Sequence, residues 1–132
     1  MKAYARDLWV TAQTIWGEAR GEPIAGQRAV AHVIRNRCLK RTMNPAQVCL
    51  QAQQFSCWNF DDPNHDKLLT VDLLDPAFRR ALCVAIDILS GLRPDPTYGA
   101  THYHALQITP YWAEGKTPCF RVGNHLFYNS ID

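Results

Sequence analysis

No stretch of this 132-residue chain holds the roughly 18 consecutive apolar residues of a membrane span, so insertion into a bilayer is not expected. The first residues, Met1-Lys2-Ala3-Tyr4-Ala5-Arg6-Asp7, carry charge but no apolar core and no small-residue cleavage site. The chain is therefore expected to be made in the cytoplasm without a signal peptide, reaching any outside substrate by another route. Charge of one sign is scarce as well: a formal net charge of +2 is too small to argue for nucleic acid as a partner. The five cysteines form an odd set with no CxxC pair, which disfavours a zinc ribbon. Cys38 and Cys49 could bridge in an oxidising space, but reduced thiols are the better expectation without an export signal. Cys83, among apolar helical neighbours, reads as a buried small hydrophobe. No internal repeat or low-complexity tract divides the chain. Residues 1–132 read as a single monomeric domain, large enough to bury a core without metal or disulfide staples.

What is present is mostly helical periodicity. Leu8, Trp9, Ala12, Ile15, Trp16 and Ala19 recur at i, i+3, i+4 and i+7, which predicts an amphipathic helix. Gly17 and Gly21 weaken that pattern, and Pro23 suits the first turn of a second helix running from Ile24 to about Lys40. That helix places Ala29, Val30, Val33 and Ile34 on one side, with Arg28, Arg35, Arg37 and Lys40 elsewhere. Asn44-Pro45-Ala46-Gln47 has the residues of a capping box, with Met43 and Val48 as a hydrophobic staple. Gln53 to Asp66 has no helical period and is expected to be an ordered loop. Asp75-Pro76 opens a further helix with a Phe78, Leu82, Ala85, Leu89 stripe and a stop at Gly91. Thr101–Leu106 and Phe120–Tyr128 then read as antiparallel strands. Helices first and a small sheet last make the class α+β.

The run Trp16-Gly17-Glu18-Ala19-Arg20-Gly21-Glu22-Pro23 holds the most suggestive acid. Glu18 falls at a helix C-terminus, where the backbone carbonyls already concentrate negative charge and an anion is disfavoured. With Trp16 and Ala19 excluding water, the carboxyl is expected to hold a proton near neutrality, as a general acid must. Glu22 lies at the positive end of the next helix instead and reads as structural, paired with Arg20.

Ile15 through Pro23, followed by Gly26-Gln27-Arg28-Ala29-Val30-Ala31 and Asn36-Arg37, resembles the opening of the SleB-type cell wall hydrolases, which include the spore-cortex-lytic enzymes. Gln54-Phe55-Ser56, Asp95-Pro96-Thr97, Gly99-Ala100, Trp112 and Gly123-Asn124-His125-Leu126-Phe127-Tyr128 continue the resemblance in the same order. It implies a mainly helical, lysozyme-like or lytic-transglycosylase-like domain with a small antiparallel sheet near the C-terminus. It implies cleavage of peptidoglycan glycan strands between N-acetylmuramic acid and N-acetylglucosamine, with Glu18 as the catalytic acid and neither metal nor cofactor. The compact form without wall-binding repeats looks like a phage or prophage endolysin, acting on the wall after release.

Glycosidases usually pair two carboxylates, but Glu22, Asp61, Asp62, Asp66, Asp95 and Glu114 all lack a setting like that of Glu18. A one-acid mechanism is therefore expected, and the resemblance implies that it runs as a lytic transglycosylase, with a hydrolysing muramidase as the alternative. Trp58, Tyr98, Tyr103, Trp112 and Tyr128 are candidate platforms for sugar rings or, equally, core aromatics. Gln54, Ser56 and Thr97 are candidate hydrogen-bonding partners. Two other functions stay open. His102 and His104, two apart on a strand, could join His125 in a three-histidine zinc site of a wall amidase. A non-catalytic wall-binding domain would be expected to have lost its acid, and Glu18 is present.

Overall fold

In a computed structural model describing residues 3–52 and 54–131, five α-helices precede a three-stranded sheet. Helix α1 spans Ala3–Ala19, α2 Ile24–Arg41, α3 Pro45–Leu50, α4 His65–Thr70 and α5 Pro76–Leu89. The strands are β1 (His102–Ala105), β2 (Phe120–Val122) and β3 (His125–Tyr128), all antiparallel, in the order β1-β3-β2. The expected α+β architecture is the observed one. The long second strand of the sequence reading is broken in two by a turn at Gly123-Asn124, so β1 pairs with β3 and not with β2.

The helix starts are set by local chemistry. Asn44 Oδ1 accepts from the Gln47 amide while Gln47 Oε1 accepts from the Asn44 amide, both at 2.9 Å, completing the capping box. Asp75 Oδ1 accepts from the Ala77 and Phe78 amides ahead of α5. Met43 and Val48 join the same apolar cluster. Gly17 does not end α1: the helix runs through it to Ala19.

Two apolar clusters flank α2, and this explains a departure from the expected one-sided helix. Ala31 and Ile34 pack with α1, α3 and α5, around Ile15, Val48, Phe78 and Ile88. Ala29, Val30 and Val33 pack with Ala19, Ala100 and Phe127 beneath the sheet. A helix sandwiched between helices and a sheet must be apolar on both flanks. Even Gln27, His32 and Arg37 are buried on it. On α5 the buried line is Phe78, Ala81, Val84, Ala85 and Ile88, whereas Leu82 and Leu89 are half-buried. Cys83 faces away from that line and is exposed, contrary to expectation. All five cysteines are free. The expected loop before α4 contains a 3₁₀ turn at Ser56–Trp58, and α4 itself begins inside the segment expected to be irregular. Only part of that segment is a loop.

The connector into β1 is organised by one carboxylate. Asp95 accepts from Asn36 Nδ2 (2.9 Å), from the Thr97 amide and hydroxyl (2.8 and 2.7 Å) and from the Gly99 amide (3.0 Å). Burial alone would raise its pKa, but the bonds from Thr97 and Asn36, with His32 nearby, outweigh it and hold it below the usual aspartate value. A depressed folded-state value stabilises above the unfolded pKa of about 3.9 and loses that contribution as pH falls below it. Asp95→Asn is therefore expected to cost about 1–3 kcal/mol at pH 7 in urea unfolding. The gap from wild type should narrow at pH 3; an undiminished gap there would remove charge from the explanation.

Candidate active site

Glu18 is the penultimate residue of α1, and three donors converge on its carboxylate. Tyr103 Oη donates to Oε1 at 2.9 Å, while the Cys57 amide and Ser56 hydroxyl donate to Oε2 at 3.1 and 3.4 Å. The glycine before it makes this possible. A Cβ on Gly17 would lie 2.7 Å from Cys57 Cβ, so only glycine lets the 3₁₀ turn approach α1 closely enough to reach the carboxylate.

The neighbours of the carboxyl are thus polar donors, which corrects the expected apolar enclosure. Trp16 and Ala19 are buried in the two separate core clusters and do not wall off the acid. Burial pushes the Tyr103 phenol well above its ordinary value, and the adjacent Glu18 adds to the shift. The Cys57 thiol is pushed up by burial and then by Glu18. Both groups stay protonated near neutrality.

Glu18 opens onto a cleft of about 460 Å³ shared by Gln54, Ser56, Asn64, Tyr103, Arg37 and His125, among others. Of the residues singled out from the sequence, Glu18, Gln54, Ser56 and Tyr103 meet here. Asp62, His104 and His125 line it as well, whereas the remaining candidate sugar contacts sit elsewhere. Trp58 turns inward, its Nε1 donating to Thr14 Oγ1 at 2.9 Å. Thr97 is fully buried against Asp95 and forms the connector. Trp112 packs edge-on against His102, His104 and Tyr128. Tyr128 is core, and Tyr98 is exposed outside the lining of the cleft. The spacing could not separate a platform from a packing aromatic.

Arg37 is the residue the reading missed. It lies at i+7 from Val30 and i+3 from Ile34 and is buried on α2, although the sequence reading sets it apart from the apolar side. Its Nε donates to the Thr101 carbonyl at 2.6 Å, its guanidinium lies 5.1 Å from the Phe55 ring centroid, and it lines the cleft. Burial, and then Arg41, pull its pKa down to about 10, which still leaves it charged.

Glu22 does not pair with Arg20. Arg20 donates to the Trp16 carbonyl and to Asn64 Oδ1, both at 2.9 Å, and stacks on the Trp16 ring. Glu22 instead accepts from the Asn124 amide at 2.8 Å and from Asn124 Nδ2 at 3.2 Å, clasping the β2–β3 turn. Gly123 in that turn has φ +56°, and a Cβ there would meet Glu22 Oε1 at 2.5 Å.

The sheet register divides the three histidines. His125 pairs with Ala105 and so shares a face with Tyr103, whereas His102 and His104 point to the opposite face. Both ring nitrogens of His104 are engaged, Nε2 with Tyr128 Oη at 2.8 Å and Nδ1 with the Ala105 carbonyl at 2.7 Å. Burial, with Arg37 next, pulls His102 down to about 4. A three-histidine ligand set is not formed, and the zinc amidase reading loses its basis.

The Cell Wall Hydrolase family model matches residues 21–128, most of the chain. The chain belongs to the cell wall hydrolase family. That match opens just beyond Glu18. A spore cortex-lytic enzyme of Halalkalibacterium halodurans is 35% identical over 126 residues, covering 93% of this chain and 34% of the relative. A spore cortex-lytic enzyme of Bacillus subtilis is 30% identical over 122 residues, covering 92% and 37%. The chain thus spans about a third of the length of these curated relatives. The catalytic domain of Bacillus cereus SleB superposes with a TM-score of 0.75 at 26% identity, covering 95% of this chain and 91% of that one. The catalytic domain of the germination-specific lytic transglycosylase SleB from Bacillus anthracis gives 0.73 at 27%, covering 93% of each. The family is one of wall-cleaving enzymes, and the fold here is that of SleB catalytic domains.

Proposed function

We propose that this chain cleaves peptidoglycan glycan strands between N-acetylmuramic acid and N-acetylglucosamine, as a lytic transglycosylase with Glu18 as the acid. The supporting observation is the Glu18 carboxyl itself, held by Tyr103 and Cys57 at the wall of a cleft large enough for sugar rings. The likeness to a domain named a lytic transglycosylase supports the reaction type. Glu18 gives its proton to the glycosidic oxygen as the bond to C1 breaks, and the 6-hydroxyl of the same muramic acid attacks C1. The substrate N-acetyl oxygen supports C1 meanwhile. Glu18, now a carboxylate, can take back the proton that the hydroxyl loses. The product end is a 1,6-anhydro sugar, formed without water. Gln54 and Ser56 would contact the strand, and the protein would act as a monomer on the wall after release from the cytoplasm.

Mass spectrometry of fragments released from purified sacculi tests the reading. Muropeptides lighter by one water than their reducing-end counterparts are expected. Reducing ends alone would favour the hydrolysing muramidase, and free stem peptides with intact glycan would overturn glycosidic cleavage.

A further inference from the structure

A glycosidase needs somewhere to put the proton of the attacking hydroxyl, and among the described residues the other carboxylate lining the Glu18 cleft is that of Asp62. Its Oδ1, however, accepts from the Asn64 amide and shapes the loop. His125 is different. It sits on β3, 92% buried, and lines the Glu18 cleft. Its ring lies 4.9 Å, centroid to centroid, from Tyr103, whose hydroxyl holds Glu18. Its Nδ1 is buried without a hydrogen bond, with Glu22 Oε1 3.7 Å away. No described residue hydrogen-bonds its Nε2, and the residue lines the cleft. Catalytic hydrogen bonds are often long in the free enzyme and tighten when substrate binds. An Nδ1–H drawn toward Glu22 as substrate binds would favour the tautomer whose Nε2 carries the lone pair.

We propose that His125, backed by Glu22, is the catalytic base that orients and deprotonates the attacking hydroxyl, so that acid and base are separate groups in one cleft. This rests on Glu18 as the acid and reassigns only the return of the proton. As the bond from the hydroxyl oxygen to C1 forms, its proton passes to His125 Nε2. The Glu18 proton has gone to the departing oxygen as the old bond to C1 breaks. Transfer of one proton from the imidazolium to the Glu18 carboxylate, through solvent, restores both groups. Burial lowers the His125 pKa, and His104 lowers it further, while Glu22 and Glu18 raise it; the net shift is downward. The imidazole is accordingly neutral at pH 7, as a base must be. The groups facing it are Glu22 from the α1–α2 turn, Glu18 from α1 and Tyr103 and His104 from the β1 side, while its β2 neighbour is the apolar Val122.

Solubilisation of purified sacculi by wild type, His125→Gln, Glu22→Gln and Glu18→Gln tests this, with circular dichroism as the check on folding. His125→Gln keeps a polar group at the Nε2 position but cannot take a proton. Its maximal rate is expected to fall about 10²-fold or more, with sedimentation onto sacculi unchanged and the acid limb of the pH–rate profile lost. Glu22→Gln keeps the base but removes the charge that raises its pKa, so the acid limb should move to lower pH with a smaller loss of rate. If His125→Gln clears sacculi within about threefold of wild type, or the acid limb ignores both changes, the assignment of His125 fails. Should His125→Gln misfold, the limb of Glu22→Gln alone decides. A fully active Glu18→Gln would instead sink the underlying glycosidase reading.

Discussion

Glu18→Gln is expected to leave the fold intact and reduce the clearing of purified sacculi by about 10²–10⁴-fold, to the floor of a turbidity assay. Glutamine matches glutamate in shape, and its amide oxygen can still accept from Tyr103 or from the Cys57 amide, so the local packing survives. What disappears is the only proton that this site offers to a glycosidic oxygen in the proposed reaction. Thermal melting should therefore change little while the rate collapses. Near-wild-type clearing by a folded Glu18→Gln protein would end the assignment, whatever the other residues of the cleft do.

Gly17→Ala carries the second large effect, and two physical rules give it opposite signs. Inside a helix, alanine outranks glycine by about 1 kcal/mol, so α1 taken alone should gain. Packing says the reverse. The new methyl would lie 2.7 Å from Cys57 Cβ, 2.9 Å from Cys57 Sγ and 3.2 Å from Leu68 Cδ2. Cys57 and Leu68 are both buried and have little room to retreat. Overpacking of this kind costs about 1–3 kcal/mol, enough to outweigh the helical gain. The 3₁₀ turn must also move outward, drawing the Cys57 amide and Ser56 hydroxyl away from Glu18. A lower melting temperature and a large loss of clearing are expected together. A rise in melting temperature would mean that the turn does not press on α1 as described.

The sequence revealed these features unevenly, for identifiable reasons. Asn44-Pro45 and Asp75-Pro76 announce helix starts because capping is local chemistry within four residues. The place of Glu18 at the end of α1 was legible too, since periodicity runs out there. The donors that hold Glu18 were only partly so. Tyr103 was singled out as an aromatic, but not as a phenol bonded to an acid 85 positions earlier. Gly17 looked like a helix breaker because propensity ignores what a neighbouring segment demands. Arg37 occupies an apolar position in the helical period, and the groups that accompany its burial, the Thr101 carbonyl and the Phe55 ring, come from other segments of the chain. The three histidines depended on register: two strands of four residues fix which side chains share a face, and pairing partners cannot be read from alternation alone. Helix α4 was missed because six residues hold too few turns for a period to show.

The clasp between Glu22 and Asn124 joins points 102 residues apart. Tyr103, which reaches the acid of the first helix, is likewise carried by a strand whose partner is β3. A polypeptide emerging from the ribosome therefore has its acid early but no finished cleft until synthesis has passed Tyr128. A premature stop before that point is expected to yield an inactive fragment, because β1 would lack the β3 strand that carries its register.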